Sequence, residues 1–150
     1  MDKAVLVDVD GTLVSVTPFD YGVFEKGEKV VEEYLKEWDA STMNAVVYED
    51  AVEMLVEFKK MGYKLIVLTA RGQSCKKYTH RKFKEMGIDK LVDGVWHRPL
   101  RWEGKSSSVY KEAMIKMLSK KYDFEWAMED EQKNKDVMIK AGMKIWHGRG

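Results

Sequence analysis

Apolar-rich runs recur along this chain at residues 4–7, 64–68, 91–96, 124–128 and 143–146, each too short for a helix. Between most of them the apolar positions change to helical spacing. Residues 51–61 carry Val52, Leu55, Val56 and Lys59 on one side, and Gly62 stands as a C-terminal stop. Residues 76–86 read similarly, 107–121 place Val109, Ala113, Met114, Met117 and Leu118 together, and a last helix spans about Glu131 to Ala141. Short apolar strands alternating with amphipathic helices predict an α/β fold, a doubly wound parallel sheet with both faces covered. Residues 14–50 are the least regular. Only 29–38 has a clear period there, with apolar residues at 30, 31, 34, 35 and 38, which suits an amphipathic helix.

Length and composition narrow the picture. With 150 residues, 45% of them hydrophobic, the chain is expected to form a single domain over 1–150. The 26 basic and 25 acidic residues leave a net charge of +1, so any polyanion must be held by a local patch. The single cysteine, Cys75, excludes an internal disulfide and suits a reducing compartment. The ten methionines fall mostly in the periodic patterns and read as core filler. No apolar run approaches the ~18 residues that span a bilayer, and the N-terminus lacks the shape of a signal peptide. A cytoplasmic protein that engages no membrane is expected.

The chemistry concentrates where the first apolar run, Ala4-Val5-Leu6-Val7, ends in Asp8-Val9-Asp10-Gly11-Thr12-Leu13. Two carboxylates at the end of a buried strand repel each other, and one pKa is expected to rise. Bound Mg²⁺ and a phosphate-handling site would offset them, with one carboxylate as nucleophile and the other as proton shuttle. Thr69, Glu129 and Asp130 likewise follow the last apolar residue of a strand, so they are expected to converge with Asp8. Lys111 follows three serines at 106–108 that provide a helix N-cap. A cation in the first turn opposes the helix dipole, so Lys111 is either a solvated lysine or the neutralising partner of an anion cluster. Arg71 offers a planar fork for a phosphate or for a surface salt bridge. The loop Trp96-His97-Arg98-Pro99-Leu100-Arg101-Trp102 interleaves rings and cations; Arg98, Arg101 and Trp102 are candidates for stacking a base and holding a phosphate. His80, His97 and His147 share no metal-ligand spacing with Cys75, which argues against zinc.

The first hexapeptide resembles the first motif of the haloacid dehalogenase-like (HAD) phosphatases, and three further pieces follow in the family's order. Leu65-Ile66-Val67-Leu68-Thr69-Ala70-Arg71 is similar to the second motif, Lys111 to the third, and Trp126-Ala127-Met128-Glu129-Asp130 to the fourth. Within that superfamily the chain more nearly resembles the 3′-phosphatase domain of phage-type polynucleotide kinases, through Met61-Gly62-Tyr63-Lys64, Thr69-Ala70-Arg71-Gly72, the lysine helix and Ala141-Gly142-Met143-Lys144-Ile145-Trp146. Gly104-Lys105-Ser106 lacks the upstream glycine of a P-loop, Pro99 standing in its place, so a stand-alone phosphatase is expected. The resemblance implies a strand order of 3-2-1-4-5, with residues 14–50 forming a flap or minimal cap that leaves the site open. It further implies Asp8 as nucleophile, Asp10 as general acid/base, Thr69 and Lys111 on the phosphoryl group, and Mg²⁺ held by Asp8, the carbonyl of Asp10 and Asp130, with Glu129 acting through water.

The expected function is Mg²⁺-dependent removal of 3′-phosphates from DNA or RNA ends through an aspartyl-phosphate. A nucleotidase or other small-metabolite phosphatase is the alternative. A phospho-accepting receiver module also uses strand-end carboxylates, a threonine and a lysine, but Asp10 would promote the turnover that such a module avoids. A phage-encoded member would work in the host cell cytoplasm.

Overall fold

The computed structural model describes residues 1–102 and 105–148; Gly104 of the would-be P-loop segment lies outside them. Five strands form one parallel sheet: β1 (Asp2–Val7), β2 (Lys64–Gly72), β3 (Gly94–Arg98), β4 (Tyr122–Met128) and β5 (Lys144–Ile145). Their spatial order is β3-β2-β1-β4-β5, as expected. Helices α1 (Glu28–Met43), α2 (Glu49–Lys60), α3 (Lys76–Met86), α4 (Ser107–Leu118) and α5 (Gln132–Lys140) flank it.

Unbroken apolar strands arise because both faces of the sheet are covered. Val5 and Val7 of β1, with Leu65 and Val67 of β2, pack under Ala51, Leu55 and Phe58 of α2 and Phe83 of α3. The alternate residues, Ala4, Leu6, Ile66 and Leu68, pack under Tyr110, Ile115 and Leu118 of α4 and Met138 of α5. β1 thus lies centrally, and its C-terminal end opens between the ends of β2 and β4.

Three expectations shift. The third strand begins at Gly94 rather than 91, since Leu91 and Val92 lie in the preceding turn and pack on the core from there. On α4 the buried face is Tyr110, Lys111, Ile115 and Leu118, whereas Val109 is 50% exposed and Met117 46%. The true stripe is rotated by about one residue because a lysine and a tyrosine occupy inward positions. Residues 14–50, expected as a flap, hold a short 3-10 helix (Tyr21–Lys26) and α1, which runs five residues beyond the end expected at Trp38.

Candidate active site

β1 ends in a tight turn in which the N–H groups of Thr12, Leu13 and Val14 all donate to the carbonyl of Val9. Gly11 has a φ of +81°, a left-handed conformation that suits glycine, and a Cβ on it would overlap the Asp130 carboxylate. The turn therefore brings β1 and β4 ends together only with glycine at this position. Asp8 donates its backbone N–H to the Met128 carbonyl at 2.9 Å, which registers the first motif against the fourth.

Asp8, Glu129 and Asp130 each offer an oxygen, and these oxygens lie within 4.8 Å of one another. Lys111 is 1% exposed and donates to Asp8 Oδ1 at 2.9 Å and to Glu129 Oε1 at 2.6 Å. Ser106 caps α4 by accepting from the Val109 N–H, so Lys111 stands at the start of the second turn, one step past the expected first. Burial alone would lower the lysine pKa, but the charges of Asp8 and Glu129 outweigh it and raise it. Asp8 is pushed up by burial and held below its usual range by Lys111. Burial and the Asp8 charge push Glu129 up, against Lys111, and push Asp130 up as well. Thr12, which the sequence reading gave no role, donates or shares its hydroxyl with Asp8 Oδ2 at 3.3 Å and Asp130 Oδ1 at 3.2 Å.

Glu129 is the most committed member of the cluster. Its Oε1 accepts from Lys111 and its Oε2 from the backbone N–H groups of Asp130 and Glu131. It acts first as the counter-ion of Lys111 and a brace for the β4 end. Asp8 and Asp130, whose carboxylates share the Thr12 hydroxyl, both line one cleft. Four carboxylates, counting Asp10, face two cations, Lys111 and Arg71, and this surplus of negative charge in a cradle of hard oxygens fits a divalent cation such as Mg²⁺.

Asp10 is held from β2. Arg71 Nε donates to Asp10 Oδ2 at 2.9 Å and Nη2 to Oδ1 at 2.7 Å, while Nη1 donates to Thr79 Oγ1 at 3.1 Å. The guanidinium is buried and lies over the Trp38 ring of α1, 4.9 Å from its centre. Arg71, expected to offer its fork to a phosphate or to a surface salt bridge, is buried and closed on Asp10 instead. Thr69 is buried inside β2, behind the cleft-lining Ala70, and accepts the Arg71 N–H at 3.1 Å, leaving its own hydroxyl hydrogen to donate. Tyr21 of the flap accepts the Gly72 N–H at 2.6 Å and donates to the Ala70 carbonyl at 3.2 Å.

A cleft of about 250 Å³ opens above these groups, lined by Asp8, Asp10, Val16, Ala70, Ser107, Lys111, Asp130, Glu131 and Asn134. A larger groove of about 530 Å³ lies between α1 and α3 but holds none of the converging carboxylates. Asn134 is buried with its Oδ1 unpartnered and its Nδ2 on Ser107 and Glu131; nothing in the sequence distinguished it from a surface asparagine. The residues expected to touch substrate lie elsewhere. Arg98 is buried, donates to the Lys105 carbonyl and lies over the Tyr110 ring; Trp102 also packs against Tyr110, and Arg101 is exposed. None of these three lines the cleft, and neither does Arg71.

The chain belongs to the HAD superfamily, subfamily IIIB (acid phosphatase), whose family model matches residues 1–136. It is a phosphatase of that type. Two chains solved in the Pnkp1/Rnl/Hen1 RNA repair complex share its fold, at 20% and 21% identity with TM-scores of 0.74 and 0.75 over 97% of this chain. This chain spans only 42% and 45% of their lengths. The class C acid phosphatase from Bacillus anthracis, solved with tungstate bound, superposes with a TM-score of 0.63 at 12% identity, covering 96% of this chain and 65% of that one. No curated protein matches the sequence significantly. Among the described residues no helix is long and apolar enough to cross a membrane.

Proposed function

We propose that this protein is a Mg²⁺-dependent phosphomonoesterase that removes 3′-phosphates from DNA or RNA ends through an aspartyl-phosphate. The observation that carries the chemistry is Asp8 on the cleft wall, its Oδ1 fixed by Lys111 and its Oδ2 beside the Thr12 hydroxyl that also reaches Asp130. Asp8 attacks phosphorus in line, forming the Asp8 O–P bond as the bond to the leaving alkoxide breaks. Asp10 supplies the proton to that alkoxide and takes one from the water that cleaves the aspartyl-phosphate. Lys111 and the Thr69 hydroxyl offset charge on the phosphoryl oxygens. Mg²⁺ held by Asp8, the Asp10 carbonyl and Asp130, with Glu129 behind them, would supply further charge stabilisation.

The polynucleotide substrate is supported by the small flap, which leaves room for a large ligand, and by likeness to chains of an RNA repair complex. The placement of Arg98, Arg101 and Trp102 outside the cleft favours the second reading, a nucleotidase or small-metabolite phosphatase of the same chemistry. Mg²⁺-dependent phosphate release from a 3′-phosphorylated oligonucleotide, a 3′-mononucleotide and a 5′-mononucleotide, with Asp8→Asn as blank, decides between them. Preference for the oligonucleotide supports end processing, and preference for either mononucleotide overturns it in favour of the nucleotidases.

A further inference from the structure

The stretch from Arg71 to Lys84 contains six cations, Arg71, Lys76, Lys77, Arg81, Lys82 and Lys84, and no Asp or Glu, in a chain whose net charge is +1. Three of the six are spent inside the fold. Arg71 grips Asp10, Arg81 pairs with Asp39 of α1, and buried Lys82 donates to the carbonyls of Met43 and Ala45. Lys76, Lys77 and Lys84 are exposed, and among the described residues no carboxylate pairs with them. With exposed His80 they lie within about 100° of helical arc, on one side of α3. Lys76 and Lys77 occupy the first turn, where the dipole disfavours cations, and that turn has neither an acidic residue nor a side-chain cap. Of the three lysines, Lys77 lies over the Tyr78 ring, 5.0 Å from its centre.

Its position is equally specific. β2 delivers Ala70 to the wall of the Asp8 cleft and ends at Gly72, and a hollow of about 420 Å³ lined by Gln73, Ser74, Lys76, Lys77 and His80 follows at once along the chain. The positive field is felt inside as well, since His97, already lowered by burial, is lowered further by Arg71 and Lys76. On its α1 side the track is bounded by acid: residues 20–39 carry seven acidic and three basic residues, and Glu28 and Glu32 line the groove that Lys77 borders, which confines a polyanion to the outer face of α3.

We propose that the exposed face of α3, from the Gln73–Lys77 hollow to Lys84, is the track for the sugar-phosphate backbone of a single nucleic-acid strand whose 3′-phosphate occupies the Asp8 cleft. This rests on the end-processing reading above. From Lys76 to Lys84 the helix rises about 12 Å, the axial length of three to four phosphates of a strand.

The test pairs Lys76→Ser/Lys77→Ser/Lys84→Ser with a control of equal charge change on other helices, Lys116→Ser/Lys133→Ser/Lys140→Ser. Binding of a fluorescent 12-nucleotide strand ending in 3′-OH is followed by anisotropy against salt, and 3′-phosphate release is measured on strands of 1 to 12 nucleotides. The track predicts binding whose log–log salt slope falls by about 2 in the α3 variant and not in the control, at ~0.7 per phosphate contact. It also predicts kcat/KM that climbs up to four or five nucleotides in the native protein and is about tenfold lower on long strands, but within twofold on the mononucleotide, in the α3 variant. A native preference for long strands that survives in the α3 variant overturns the track and leaves the function standing. Absence of both strand binding and length preference in the native protein overturns the function and the track together.

Discussion

Arg71 and Asp10, 61 residues apart, meet in a two-pronged ion pair in which each carboxylate oxygen accepts one guanidinium N–H, at 2.9 and 2.7 Å. Such a fork fixes both position and tilt of the carboxyl group. If its task is to aim Asp10, its loss should be felt where a leaving group needs a proton. Arg71→Lys is expected to lower kcat on an alkyl phosphate by roughly 10²-fold, within the range of general acid–base catalysis, and on an activated aryl phosphate by much less. Equal losses on both, expressed mainly in KM, would place the guanidinium on substrate phosphate instead.

Lys111 sits between two buried carboxylates, so removing its charge leaves them uncompensated. Lys111→Met is expected to abolish turnover and to cost about 3–5 kcal/mol of stability in urea unfolding. Glu129→Gln added to it should recover part of that loss. A double variant no more stable than the single one would mean that Glu129 is balanced by something other than Lys111.

The unpaired negative charge around Asp8 and Asp130 predicts stabilisation by Mg²⁺. At ~100 times the dissociation constant the gain is about 2.7 kcal/mol, or roughly 5–10 °C in Tm, and EDTA should reverse it. Asp130→Asn should lose most of the shift. Gly11→Ala should lose it too, because its Cβ must displace the same carboxylate. A full Mg²⁺ shift in Asp130→Asn would move the ion to other ligands.

His97 is buried with neither ring nitrogen partnered, and burial, aided by Arg71 and Lys76, lowers its pKa from 6.5 to about 4. Between those values the unfolded chain binds a proton that the folded one refuses, so stability falls as the pH drops from 6.5 towards 4. The full effect is roughly 3 kcal/mol. His97→Phe should flatten this part of the stability–pH curve relative to the native protein. Parallel curves for the two proteins would show that the imidazole protonates in place.

The sheet could be read from the sequence because burial on both faces leaves continuous apolar runs, and because carboxylates directly after such runs have no ordinary reason to be there. Asp8, Glu129 and Asp130 stand out in that way and meet in one cluster, whereas Thr69 lies inside β2, which runs on to Gly72. The inward face of α4 was misread because Lys111 and Tyr110 occupy core positions, and a hydrophobic period counts a lysine as outside. Leu91 and Val92 extended the third strand too early, since a turn that packs on the core is as apolar as a strand. The hold of Arg71 on Asp10, the ring of Trp38 on Arg71 and the buried Asn134 depend on contacts between distant segments, which leave no local pattern.

Tyr21 ties the flap to the end of β2 by two hydrogen bonds on one hydroxyl, and Trp38 stacks on the guanidinium that aims Asp10. A flap stitched to the wall of its own cleft cannot swing as a hinged door without breaking the seam that orients the proton shuttle. Any opening of the entrance would thus loosen the proton shuttle in the same movement, coupling access to Asp8 with the aim of Asp10.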